Sequence, residues 1–359
     1  MQARVVTSLA EVEALAPAWE ALADACRAGP FSRPGYALTW WRHAGHGRLL
    51  VCVVHDEDGA LVALAPLHSR RVGPLRVGRW LGHGLGTVAE ALVSPQHPEA
   101  AASMWAALRS PGLVLQLTET REGAGGLEAL VHDTTRTTSC VPRNRCPVVV
   151  LDPATDVLAG SGRRRIRRTL RVAAQRVAEA GLELHVETAT DVANLDRLLP
   201  DVRAVYDEAE EGRDRLHFLR GEWEPFTLDL LRSGVASGGV VVHVGYLDER
   251  PVCFDLLFRC DDRLYAWVGR YAPWASTYSP GHLLQRAGLD WAARHGVRSV
   301  DLLLGDDAYK RRWANGGYDT LEVVSGVPAT MALVAPVLRR LARRHDASEP
   351  EAGPEPGEA

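Results

Sequence analysis

The 359-residue chain has almost no lysine: of its 41 basic residues, only Lys310 is not arginine. The two side chains differ in shape, hydration and pKa, so the one lysine is a candidate for a role that a guanidinium does not fill. The cysteine pattern of a metal centre or a disulfide framework is also missing. Cys26, Cys52, Cys140, Cys146, Cys253 and Cys260 are scattered without paired spacing and read as reduced, mostly buried thiols. No metal-ligand spacing and no nucleophile-elbow motif occurs, and Gly82-His83-Gly84-Leu85-Gly86 lacks a full phosphate fingerprint and reads as a turn. Long hydrophobic runs are absent as well. The longest, 327–337, contains Pro328 and Pro336 and is far shorter than the roughly 20 residues of a spanning helix. It leads into Leu338-Arg339-Arg340-Leu341-Ala342-Arg343-Arg344, which reads as a packed helix, or as a peripheral membrane contact. The start of the chain, with Glu11, Glu13 and Glu20 among alanine and leucine, has no leader pattern, so the expected compartment is the cytoplasm. A net charge of −4 excludes a surface that coats nucleic acid generally; a polyanion site has to be local.

What is present is ordinary globular composition, 46% apolar and 24% charged, over a length that suits two α/β lobes. In residues 1–152, apolar runs at 49–55 and 61–68 flank Asp56-Glu57-Asp58-Gly59, a hairpin signal. Further strands are expected near 75–81, 88–93, 113–117 and 147–151, with helices near 98–108 and Leu127. Residues 153–182 form a basic linker helix, with Ile166, Leu170, Ala173 and Val177 at helical spacing, Ser161 as N-cap and Gly181 past the end. Its other faces carry Arg163, Arg164, Arg165, Arg167, Arg168, Arg171 and Arg176. This helix either grips a nucleotide phosphate, a polyanionic acceptor or a tRNA backbone, or is solvated beside acidic partners. Residues 183–345 form the second lobe. It reads as strand 183–187, helix 192–206, acidic loop 207–211, helix 223–231, three strands at 239–247, 251–259 and 263–271, helix 281–295, strand 299–303, helix 307–313 and strand 318–324. The tail 346–359, rich in Glu, Pro, Gly and Ala, is expected to be disordered.

Candidate general bases are carboxylates and histidines in unusual surroundings. Asp255 lies on a strand between Cys253 and Leu257, where a carboxylate has a raised pKa unless an arginine pairs with it. His217, whose ordinary pKa is near neutrality, and Asp306, at a strand end, are alternatives. The helix beginning near Ser279-Pro280-Gly281-His282, after the strand that ends at Tyr271, is a candidate anion site through its N-terminal amides and dipole.

From about Phe31 to Val324 the chain resembles the GNAT-type acetyltransferases linked with cellulose biosynthesis, the CelD/BcsL type, which in turn look like the Fem aminoacyl transferases. The resemblance is carried by Phe31-Ser32-Arg33-Pro34 with Trp40-Trp41, the segment 59–67, the arginine-rich helix, His217-Phe218, Tyr278-Ser279-Pro280-Gly281 and the run from Asp301 to Trp313. It implies an α/β fold of two GNAT-like lobes with mixed, largely antiparallel sheets flanked by helices, the first lobe degenerate. The implied enzyme is an acyltransferase using acetyl-CoA or another acyl-CoA on a sugar, glycan precursor or small metabolite. The resemblance also leaves an aminoacyl-tRNA-dependent transferase and a non-catalytic binding module open. Tyr271, Ser279, Gly281 and His282 would hold the donor, with Lys310 on its phosphate or on the acceptor. Many GNAT enzymes place a thiolate-protonating Tyr four residues before a Gly-aromatic pair. Here Gly317-Tyr318 puts Trp313 there, and Tyr309, one helical turn earlier, is the candidate substitute.

Overall fold

The computed structural model describes residues 1–152, 156–159, 163–213 and 217–334. The expected cap Ser161, the basic segment 338–344 and the tail 346–359 lie outside the described residues.

The first half contains β1 (Gln2–Val6), α1 (Leu9–Ala14), α2 (Ala16–Ala25), α3 (Pro34–Ala44), β2 (Arg48–Leu49), β3 (Val51–His55), β4 (Leu61–Ala65), β5 (Leu67–Val72), β6 (Leu75–Trp80), β7 (Leu92–Val93), α4 (Ala100–Ala107), β8 (Leu113–Arg121), α5 (Leu127–Val131) and β9 (Thr137–Val150). The β3–β4 hairpin closes as its sequence predicts: Asp56 Oδ1 accepts the amides of Asp58 and Ala60 at 3.0 and 2.8 Å, and Gly59 takes φ 83°. The long runs 49–55 and 61–68 are each split, at Leu50 and Pro66, so that one chain serves two sheets. Pro66 has no N–H to give a ladder, which suits the residue at which the strand changes sheet.

The second half contains α6 (Arg164–Glu179), β10 (Leu184–Ala189), α7 (Val192–Glu210), α8 (Glu224–Ala236), β11 (Val240–Leu247), β12 (Arg250–Cys260), β13 (Arg263–Tyr271), α9 (Pro280–Arg294), β14 (Ser299–Asp301), α10 (Ala308–Trp313) and β15 (Gly316–Gly326). One element differs instructively from the sequence expectation. The acidic run 207–211 is not a loop; α7 continues through it to Glu210, because the Glu210 side chain is fully buried and paired with Arg270.

Two sheets result, one of four strands in the order β1-β3-β4-β7 and one of eleven in the order β10-β11-β12-β13-β14-β9-β15-β8-β6-β5-β2. The four-stranded sheet is antiparallel throughout, and the eleven-stranded sheet is mixed and largely antiparallel, with parallel pairs at β13–β14 and β6–β8. The long strand β9 leaves the first half to pair with β14, Val148 to Val150 against Asp301 to Ser299. Next to it, β15 pairs with β9 on one edge and with β8 on the other. Each half thus contributes a strand to the sheet of the other, and the eleven strands run on without an edge between the halves. The core is shared in the same way: Phe31 meets Phe258 edge-on at 5.4 Å and Tyr36 meets Phe226 at 5.8 Å, rings from the two halves. Each such pair adds about 0.5–1.5 kcal/mol beyond its buried area.

Candidate active site

The strands β13 and β14 run parallel only from Arg263 to Tyr265 against Ser299 to Asp301 and then part. Two local irregularities open this fork. On one side, Trp267 is bulged out of register, between Leu257 paired with Ala266 and Leu256 paired with Val268. On the other, β14 stops after three residues and the chain turns through Leu303 at φ 55° and Gly305 at φ 99°. The second turn is pinned from three directions. Asp301 accepts the Leu303 amide at 2.8 Å and the Tyr318 hydroxyl at 2.7 Å, and the Lys310 ammonium donates to the Leu304 carbonyl.

Asp255 sits beside this fork. Its neighbours across the ladder are His243 and Gly269. A Cβ on Gly269 would come within 2.2 Å of Asp255 Oδ1, so the carboxylate occupies space that any other residue would fill. Among the described residues, Asp255 has no hydrogen-bond or ion-pair partner; the arginine pairing that the sequence left open is not made. Burial raises its pKa to about 7. Tyr309, on α10, is 43% exposed. Burial of its hydroxyl, then the charges of Asp307 and Asp255, raise its pKa, while Arg270 opposes the shift. Tyr309 therefore lies within the electrostatic reach of both Asp255 and Arg270.

The remaining sequence candidates are distributed around this pair. His217 lies on the α7 side: its Nε2 accepts from Arg220 at 3.0 Å, which puts the proton on Nδ1, a buried atom with no partner among the described residues. Asp306 is exposed and ion-paired with Arg311 at 3.1 Å. Tyr271 is exposed, and its ring borders Gly281, where a Cβ would stand 3.7 Å from Tyr271 Cδ1. Ser279 takes the left-handed conformation at φ 49° just before α9, and its carbonyl accepts the amides of His282 and Leu283 at 3.0 and 3.3 Å. Pro280 has no N–H, so Gly281 is the amide of this helix start left for an anion. His282 Nδ1 accepts from the Trp313 indole at 3.1 Å, and burial followed by the nearby Arg312 lowers the imidazole pKa to about 4. Lys310 is buried and held by Leu304; burial lowers its pKa, with Asp307 at 4.0 Å opposing.

Two features escaped the sequence. The Glu210 carboxylate, with no exposed surface, pairs with Arg270 at the end of β13. The Trp267 indole N–H is buried without a partner beside Phe218, whose ring is 4.9 Å away. The bulge at Trp267 has no composition signal, and Glu210 was hidden in a run of acids that reads as a turn. Along α6, Arg163 and Arg176 hold the carbonyls of Arg312 and Thr277 at 2.7 and 2.9 Å. The outward-facing Arg164, Arg168 and Arg171 have no acidic partner among the described residues.

Residues 163–311 match the family model described as acetyltransferase (GNAT) domain. This domain makes the chain an enzyme of the acyltransferase class. Among curated proteins none matches by sequence. The fold is similar to FemX, at 12% identity and TM-score 0.65 over 94% of this chain and 100% of that one. It is also similar to the C-terminal domain of a lysylphosphatidylglycerol synthetase from Agrobacterium fabrum, at 16% identity and TM-score 0.58 over 92% and 97%. A tandem GNAT protein from the clavulanic acid biosynthesis pathway aligns at 17% identity and TM-score 0.50 over 91% and 98%. These likenesses are of fold: a mixed α/β architecture of large sheets flanked by helices, with GNAT-like neighbours. No helix of the described residues is long and apolar enough to cross a membrane, and no cluster among them is built to hold a metal ion.

Proposed function

We propose that the chain transfers an acyl group from acyl-CoA to an amine or hydroxyl of a sugar, glycan precursor or small metabolite in the cytoplasm, at the fork between β13 and β14. The observation that supports this reading is the Asp255 carboxylate, without a partner among the described residues, raised to about 7 by burial and close enough to raise the pKa of Tyr309. A base with that pKa is half ionised at neutral pH, where a general base is most effective. Asp255 removes a proton from the acceptor nitrogen or oxygen, which bonds to the acyl carbon. The carbon–sulfur bond then breaks, and Tyr309 gives its phenol proton to the departing sulfur. The raised Tyr309 pKa keeps that proton in place until then. The Gly281 amide, the α9 dipole and His282 border the donor's phosphates, with neutral His282 acting as a hydrogen-bond donor through Nε2. Lys310 acts by fixing the β14 turn that carries Tyr309. Membership of the CelD/BcsL type is part of the same proposal.

The second reading is a Fem-like transferase whose donor is an aminoacyl-tRNA. It is favoured by the fold likeness to FemX and by Arg164, Arg168 and Arg171, which have no acidic partner among the described residues. Calorimetry and native mass spectrometry with acetyl-CoA and with total tRNA separate the two. The first reading requires one acetyl-CoA per chain; tRNA binding that weakens steeply with salt, without acetyl-CoA binding, replaces it with the second.

A further inference from the structure

An open cavity of about 560 Å³ lies in the first half, between the edge strand β7 and helices α4 and α5. It draws on residues 26 and 90–132 and shares none with the fork that contains Asp255. Its volume is in the range of sites that hold small molecules, about 300–1,000 Å³. Its walls are held by specific contacts rather than by loose packing. Cys26 donates its thiol to the Val93 carbonyl at 3.2 Å on one side, and the Trp105 indole donates to the Gly126 carbonyl at 2.7 Å on the other. The walls meet where Gly126, at φ 81°, faces Val93; a Cβ there would stand 3.0 Å from Val93 Cγ2.

The surface inside is mostly apolar, from Leu92, Val93, Pro95, Pro98, Ala101 and Ala129. Its charged groups are of one sign. Glu90 and Glu128 line the cavity with His132, and no lysine or arginine does. Glu128 is exposed on α5, whereas Glu90 is set deeper, its main chain bound to Ser32 Oγ at 2.9 Å. Burial raises the Glu90 pKa, while Arg121, Arg263 and the Gly29 amide that its carboxylate accepts oppose the rise, so Glu90 is the less available anion and Glu128 the more available one. Apolar walls with an exposed carboxylate, a second one set deeper and no lysine or arginine on the lining are complementary to a hydrocarbon body that carries a positive nitrogen.

We infer that this cavity is a binding site for a small amine with an apolar body, its ammonium received by Glu128 beside the deeper Glu90. The inference rests on the cavity and its charges and is independent of the acyl-transfer reading. It is tested on the full chain with benzylamine, benzyl alcohol and benzoate, which share a ring and differ in charge. The readout is the Trp105 indole N–H resonance, assigned with Trp105→Phe, since that proton bonds the cavity wall. The expected result is a saturable shift with benzylamine, at least about tenfold tighter than with the other two, as one charge-assisted contact gives. Glu128→Gln, on an exposed helix position, weakens benzylamine several-fold without changing the rest of the spectrum, and Ala129→Trp, which fills the space, abolishes the shift. Equal responses to the three probes, no response to any, or an unchanged affinity in Glu128→Gln overturns the inference.

Discussion

Replacing Asp255 by asparagine separates what this carboxylate does for catalysis from what it costs the fold. In the folded chain its pKa is about 7, against 3.8 for the free side chain. Below 3.8 both folded and unfolded chains hold the proton, and the residue has no effect on stability. As pH rises from there to 7, only the unfolded chain gives up its proton freely, so stability falls; above 7 the full penalty is present. The difference between 3.8 and about 7 corresponds to roughly 4 kcal/mol as an upper bound. Asp255→Asn keeps the shape and removes the charge. The variant is therefore expected to be more stable than the parent at pH 8, by up to that amount, and equally stable near pH 4. Acyl transfer, followed by thiol release from acetyl-CoA with a panel of amines, should drop by about 10²–10⁴-fold at pH 7. In the parent, kcat/KM should rise with pH up to about 7 and then level off, and this rise should vanish in the variant. Urea melts at pH 4 and pH 8 beside the rate measurements complete the test. A variant with the parent's rate, or with the same stability difference at both pH values, refutes the reasoning.

Tyr309→Phe removes only the phenol of a 43% exposed side chain, so kcat should fall about a hundredfold with thermal stability unchanged; equal loss of both would assign Tyr309 to packing. Gly269→Ala drives a Cβ to 2.2 Å from Asp255 Oδ1, and the expected cost is about 1–3 kcal/mol in denaturant melts together with lost activity. Adding Asp255→Ala should restore the stability but not the rate. Glu210→Gln leaves the Arg270 guanidinium without its buried counter-charge, at a cost of about 3 kcal/mol by urea titration. Little change there would mean that Arg270 swings to solvent.

The order of elements in the second half was legible because each has its own hydrophobic period. The meander β11–β12–β13, with short acidic turns, and the start of α9 at Pro280 fall where the sequence puts them. Asp255 was legible because alternation along β12 put a carboxylate among apolar neighbours. The crossing of β9 was not. Its residues 137–145 are mostly exposed, so they carry no apolar face, and their partners on β15 lie more than 170 residues away. Glu210 and Arg270 were missed for the same physical reason, since a buried pair made by distant residues looks like two surface charges until the chain is folded. The donation of Trp313 to His282 likewise depends on α10 meeting the start of α9.

The central claim is that donor and base meet at the fork between β13 and β14. A crystal structure of the Asp255→Asn variant with acetyl-CoA measures this directly. The account requires the pantetheine arm between the two strands, the sulfur within about 3.5 Å of Tyr309 Oη and the acyl carbon facing residue 255. A cofactor lying elsewhere, with its sulfur out of reach of Tyr309, contradicts it.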